Sequence, residues 1–223
     1  MRTITRIFLI VPALFCLSCS NEVKTANKDE GVIDFDTKAV DVNNPLYSLA
    51  PSSAVLKFKK EKFAIEMNSF GMFKTAIIGN SKEKTLAQTV KFMDVKQVCI
   101  EDEKAVREGN KDFELKIEET SETKKIIGLN CYKAKVTKLS NPATSFDVWY
   151  TKDLGMEDCN SLTPYSQLKG VLIDYRVKKM GLEMHFLAKS FKNVAVEDNT
   201  FEISPGMKIV SAEEMARFFS SLQ

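Results

Sequence analysis

In "LEMHFLAK", residues 182–189, apolar side chains occupy every second position: Leu182, Met184, Phe186 and Ala188 fall on one side, with Glu183, His185 and Lys189 on the other beside one apolar exception, Leu187. A period of two belongs to a β-strand, whose successive side chains point to opposite faces. One face of such a strand is dry and the other wet, so it belongs at the surface of an antiparallel sheet.

The same pattern recurs in both directions along the chain. "GVIDFDTKAV" (31–40) alternates Ile33 and Phe35 with aspartates, and "LKFKK" (56–60) alternates Leu56 and Phe58 with lysines. "FAIEM" (63–67) places Phe63, Ile65 and Met67 together, and "DFELKIEE" (112–119) does so for Phe113, Leu115 and Ile117. "CYKAKVTK" (131–138), "SFDVWYT" (145–151) and "VLIDYRV" (171–177) follow suit. Gly79-Asn80, Gly109-Asn110 and Asn141-Pro142 read as turns between them. The chain is therefore expected to be mostly β, one antiparallel sheet of roughly ten or eleven strands. Helical signals are few. "SAEEMARFFSSL" (211–222) opens with Ser211 and Glu214 in capping-box spacing, then sets Met215, Phe218, Phe219 and Leu222 in one stripe. "CIEDEKAVREG" (99–109) is a second, shorter candidate.

The N-terminus reads differently. Arg2 and Arg6 precede a short apolar run from Ile7 to Leu14, too short to span a bilayer and suited to a signal peptide. Leu17-Ser18-Cys19 then resembles a bacterial lipobox, although Cys16 stands where a larger aliphatic residue is usual. Residues 1–18 are thus expected to be a lipoprotein signal, with Cys19 the lipidation site; an ordinary secretory signal is the alternative. One acyl chain holds a protein only marginally at a membrane, and two or more anchor it stably. Ser20 after the cysteine favours the outer membrane, at its periplasmic face or the cell surface. Residues 19–30, polar and rich in Lys, Asn and Glu, read as a tether, and 31–223 as a single β domain.

Bulk numbers narrow the partners. Removing Arg2 and Arg6 leaves 30 basic and 30 acidic residues, with no polybasic patch, which argues against nucleic acid. Beyond Cys19 the expected mature chain keeps Cys99, Cys131 and Cys159. In an oxidising compartment three thiols point to one bridge and one leftover. A hairpin joining 131–138 to 145–152 sets Cys131 near Lys152, and "DLGMEDC" (153–159) returns Cys159 toward it, making Cys131–Cys159 the candidate pair. Three free thiols remain the alternative.

Catalytic constellations do not stand out, and an enzyme is not expected. His185 is the single histidine and lies on the wet side of its strand, a solvated residue rather than a general base. There is no second metal-ligating histidine, no CxxC after Cys19, no calcium loop and no glycine-rich phosphate loop, so neither a metal nor a cofactor is expected. "IEDEK" (100–104) reads as a solvated acidic turn and "GNSKEKT" (79–85) as a hairpin turn. Trp149 falls opposite Phe146, Val148 and Tyr150 and reads as a structural plug outside the hollow.

At "KKIIGLNCYKAKV" (124–136) and "SFDVWYTKDLG" (145–155) the chain resembles an uncharacterised family of exported bacterial proteins, through Ile127, Gly128, Cys131, Ala134, Trp149, Tyr150, Thr151 and Lys152. The likeness extends thinly over residues 31–205. That family looks LolA/LolB-like (lipoprotein localisation factor-like), which implies a curved half-open barrel covered by short helices and a hollow for acyl chains. Two functional expectations follow. The first is a non-enzymatic module holding a lipid or other apolar ligand in a cavity of several hundred Å³, lined by Phe58, Ile65, Met67, Phe146, Val148, Met184 and Phe186. The second is an interaction subunit of an envelope complex, with a self-filled core and an exposed apolar patch.

Overall fold

Alternating strands must pair to satisfy their backbone groups, and this chain pairs nearly all of them into one sheet. The computed structural model describes residues 29–179 and 181–222. In chain order the elements are β1 (Glu30–Ala39), β2 (Ser53–Lys59), β3 (Lys62–Ser69), β4 (Phe73–Asn80), β5 (Thr85–Phe92), β6 (Val95–Asp102), α1 (Glu103–Gly109), β7 (Leu115–Ile126), β8 (Leu129–Lys138), β9 (Asn141–Thr151), β10 (Val171–Lys179), β11 (Leu182–Lys192), β12 (Lys208–Ile209) and α2 (Ala212–Ser220). They form a 12-stranded sheet in the order β12-β6-β5-β4-β3-β2-β1-β11-β10-β9-β8-β7. Among the described residues the protein is thus mostly β, one open curved sheet with two short helices, one of them C-terminal. The sheet is mixed, because β12 pairs in parallel with β6 while the other pairs are antiparallel.

The topology is two meanders, β2–β6 and β7–β11, with β1 as the spine between β2 and β11. Register carries the sequence alternation across this seam. Ile33 faces Leu56 on one side and Phe191 on the other, and Ala39 faces Met184. One inner face results, on which Ile33, Phe35, Phe58, Val148, Tyr175 and Phe186 join a single apolar core.

Turn chemistry explains the hairpin ends. Asn80 accepts hydrogen bonds from the backbone of Lys82 and Glu83, both at 3.1 Å, closing β4 onto β5. Ile127 and Gly128 both have positive φ, 48° and 85°, as a two-residue hairpin turn demands. Asp102 caps α1 through the Ala105 N–H at 2.8 Å. The capping box foreseen for α2 is present: Ser211 accepts from Glu214 N, and Glu214 returns to Ser211 N. Two local expectations shift. Phe113 precedes its strand in a short 3-10 turn, and Asn141-Pro142 opens β9 rather than forming a turn, a strand's first positions being where proline's missing donor does least harm.

Two long segments have no periodicity of their own and owe their course to the sheet. Residues 152–170 fold across the inner face, burying Leu154, Met156, Leu162, Tyr165 and Leu168. Gly170 closes this loop at φ 120°, where a Cβ would sit 2.1 Å from the Thr151 carbonyl oxygen, so only glycine fits. The Asn160 side chain donates to the carbonyls of Leu168 (3.0 Å) and Gly170 (2.6 Å). Residues 193–207 instead run along the outer side. Lys59 donates to the Val196 carbonyl at 3.1 Å, the buried Glu30 carboxylate accepts from Val196 N at 2.6 Å, and Lys91 reaches Ser204 at 3.1 Å, before the chain joins β6 as β12.

Candidate functional site: an apolar groove on the inner face

The inner face is not completely filled. Between the 152–170 loop and the sheet lies a hollow of about 100 Å³, reached by Leu56, Ile65, Met156, Leu162, Tyr165 and Tyr175. A second, of about 80 Å³, is bounded by Leu46 and Leu49 of the 40–52 loop, Phe73, Met184 and Phe219 of α2. The two adjoin, because Met67, Ile77, Val177, Lys179 and Phe186 line both. The site is therefore a groove roofed by two lids, a loop on one side and a helix on the other. Tyr175 and Phe186 stack in its wall with ring centroids 5.0 Å apart, and Phe35 meets both edge-on. Tyr165 donates its hydroxyl to the Arg176 carbonyl, so the loop lid is fastened to β10 by a polar bond at the end of an apolar ring.

Larger recesses occur elsewhere and have a different chemistry. One of about 990 Å³ beside α1 is bordered by Glu103, Lys104, Arg107, Glu108 and Lys111. One of about 360 Å³ on the outer face lies between Glu66, Lys74, Lys91 and Glu202. Charged walls of this kind hold water, not apolar ligands.

Of the seven residues expected to line a cavity, Ile65, Met67, Met184 and Phe186 do line the groove. Phe58, Phe146 and Val148 lie in the packed core and border neither hollow. For Phe146 and Val148 the reason is the 152–170 loop, which fills the space that a bare curved sheet leaves open over β9; Phe58, on β2, stacks on Phe191 with ring centroids 6.4 Å apart. The groove consequently falls short of the several hundred Å³ expected. Sequence reasoning also passed over Lys179, although the register of "VLIDYRVKK" places it on the side of Tyr175 and Val177, and that spacing was the available signal.

The remaining chemistry-bearing residues are accounted for by their surroundings. Cys99, Cys131 and Cys159 are free thiols, so the Cys131–Cys159 bridge is not formed. Cys159 Sγ is engaged by the Gly170 carbonyl at 3.2 Å, and Cys131 Sγ by that of Leu129 at 3.6 Å. Burial pushes the Cys131 thiol up to about 11 and the Cys159 thiol up to about 12, the opposite of what an activated nucleophile needs. His185 Nε2 meets Asp174 Oδ1 at 2.7 Å on the outward face, and among the described residues no hydroxyl or thiol joins the pair. Trp149 is buried outside the hollow under Lys124, whose ammonium lies 3.9 Å from the ring centroid. Among the described residues no three His, Cys, Asp or Glu side chains converge as a metal site. None of the helices is long and apolar enough to cross a membrane, again among the described residues. Cys19, with the signal and nearly all of the tether, lies outside the described residues.

Fold and groove together define a curved-sheet β protein with an apolar inner cleft under two lids. Residues 35–167, more than half of the chain, match the family described as "N-glycanase peptide, N-terminal domain", and the chain belongs to that family. The match runs from β1 to the end of the inner-face loop and stops short of β10 and β11, which complete the groove. This corrects the resemblance read from Ile127–Ala134 and Trp149–Lys152: the family is a different one from the LolA/LolB-like family of unknown function, and that kinship is withdrawn. The residues that carried it lie on a hairpin turn and on or next to β8 and β9, Ile127 and Gly128 turning β7 into β8 and Trp149, Tyr150 and Thr151 closing β9, and positions of that kind serve the fold without marking one family. No curated protein matches the chain.

Proposed function

We propose that this protein is a non-catalytic binding module of the bacterial envelope, tethered through a lipidated Cys19, that holds an apolar ligand in its inner groove. The observation that carries the reading is the pair of adjoining hollows sharing Met67, Ile77, Val177 and Phe186. An apolar cavity of about 150 Å³ stays dry and takes up benzene or xenon, and the two hollows together are of that order. The occupant is thus a short alkyl or aromatic group, not a whole multi-chain lipid. The family's description names the N-terminal domain of an N-glycanase. For this chain we read that domain as the part that binds rather than cleaves, because its thiols are shifted away from reactivity and its lone histidine is tied to Asp174.

Extraction of the natively purified protein, followed by mass spectrometry, tests the reading: a single apolar compound should co-purify, and its absence from a Val177→Trp variant should trace it to the groove. A groove empty in the native protein and closed to small apolar probes would refute it. Acyl mass on Cys19, lost together with membrane association in Cys19→Ala, tests the tether separately.

A second reading, an interaction subunit, has one observation in its favour. Phe70 and Met72 in the β3–β4 turn and Met93 in the β5–β6 turn are 78%, 63% and 75% exposed. Phe73 and Phe92 pair just inside these turns, so both tips project from the same end of the sheet. Glu30 and Lys59 mark the opposite end, where β1 begins. Crosslinking from positions 70 and 93 in intact cells should then give one defined envelope partner, and none if the tips are idle.

A further inference from the structure

The walls of the groove are mainly apolar, with Thr75, Asn160 and Thr163 the uncharged polar residues and one charged side chain among the described residues. Among the described residues Lys179 is the single charged side chain lining either hollow, and it lines both. It ends β10 on the inner side of the sheet, in register with Leu182 and two residues beyond Val177. Several lysines elsewhere have carboxylate partners: Lys57 pairs with Glu66, Lys133 with Glu122 and Asp147, Lys138 with Glu183, Lys192 with Asp34. Lys179 has neither an ion pair nor a hydrogen bond among the described residues. An ammonium held against an apolar surface without a partner is unfavourable, and a protein retains one at little benefit to its own stability.

We infer that Lys179 is the counter-charge for the head group of the groove's ligand, which makes that ligand a single-chain amphiphile with a carboxylate head, of the fatty-acid class. This rests on the reading of the groove as a binding site and adds the head group to it. The tail would occupy the hollows between Met67, Ile77 and Phe186, and the carboxylate would meet the ammonium where the two hollows join. One positive charge suits a monoanion. A phosphate head would call for further donors, and among the described residues no second cation borders either hollow. Two further groups bear on the electrostatics: Glu101 and Cys99, both on β6. Burial holds the Lys179 amine below the ordinary lysine value, and Glu101 partly opposes that. An incoming carboxylate acts in the same sense as Glu101 and at shorter range, so charge-assisted pairing there is stronger than on the open surface.

The test is calorimetric titration of the full chain carrying Cys19→Ala, which removes the proposed lipidation site, with octanoate, octanol, octyl phosphate and octylamine. Octanoate should bind roughly tenfold tighter than octanol, the order of one partly shielded charge pair, with octyl phosphate no better than octanoate and octylamine the weakest. Lys179→Met keeps the apolar stem and should bring the octanoate-to-octanol ratio to about one by removing that charge pair. Lys179→Arg should keep the preference, and matching thermal melts of both variants show that the fold is intact. Equal affinity for octanoate and octanol in the parent chain, or a preference that survives Lys179→Met, overturns the head-group assignment while leaving the groove. Binding of octyl phosphate well above octanoate replaces the carboxylate with a phosphate. Failure of all four ligands to bind overturns the groove reading itself.

Discussion

The two meanders, β2–β6 and β7–β11, contribute five strands each to the same sheet, yet they differ in what covers their inner faces. Over β8–β10 the chain supplies its own cover. The 152–170 loop buries Tyr165 and Leu168 completely and ties itself down through Asn160, Tyr165 and Gln167, the last donating to the Ile117 carbonyl at 3.2 Å. Over β3–β6 the cover is α2, which packs Phe219 against Phe73 at 5.9 Å and reaches only the far strands. The groove is the strip that neither lid fills. A curved sheet has more inner surface than either short lid can cover, so where the sequence places its unstructured apolar residues decides which part becomes solid core and which stays open.

Removing a residue from the filled side should cost most. Tyr165→Ala, which deletes a fully buried ring and strands the Arg176 carbonyl, is expected to lower unfolding free energy by about 3–5 kcal/mol in urea denaturation. Adding volume should separate the two sides next. Val136→Phe, at a position with no free space, should destabilise by about 1–3 kcal/mol. Val177→Phe, beside both hollows, should stay within about 0.5 kcal/mol of the parent while abolishing uptake of small apolar probes. Equal costs at the two positions would erase the distinction between a solid and an open side.

The lid over β3–β6 is the more weakly held. Ser211→Ala removes the capping box of α2 and should cost about 1 kcal/mol, read as earlier thermal melting. The smallest effect concerns the seam between the meanders. Asp34 on β1 accepts from Ser190 (2.6 Å) and Lys192 (3.1 Å) on β11, first the hydroxyl and then the ammonium holding its carboxyl below the ordinary 3.8. A depressed folded-state value means this stabilisation is present above the unfolded value and is lost as pH falls through the folded one. Asp34→Asn should therefore leave a shallower acid limb below about pH 4, a difference of a few tenths of a kcal/mol because the pair is partly exposed. Thiol counting makes a separate check: Cys99, Cys131 and Cys159 should react with an aromatic disulfide reagent only after denaturation, and a native Cys131–Cys159 bridge would contradict the free thiols.

Strands with one wet face were legible. β1, β7, β8 and β11 advertise themselves because water on the outer face demands Asp, Glu and Lys at every second position. β4, β5 and β6 are quieter, since Ala76, Ile78, Ala87 and Val98 soften the alternation where residues 193–207 cover part of the outer face. The site was legible by halves. Ile65, Met67, Met184 and Phe186 followed from strand parity alone. Phe58, Phe146 and Val148 share the inner face with them, but parity says which face a side chain takes and not what lies above it.

Local chemistry therefore settled the elements: period two for strands, Ser211 and Glu214 for the start of α2, Asn80 for a turn. Each depends on neighbours a few residues away, which is why the linear chain carries it. The union of two meanders through β1, the course of 152–170 across the inner face and the unpaired place of Lys179 depend on residues more than a hundred positions apart coming together, as Asp34 and Lys192 do. Such contacts arise only when the whole sheet has formed and its uncovered apolar surface selects the segments that bury it.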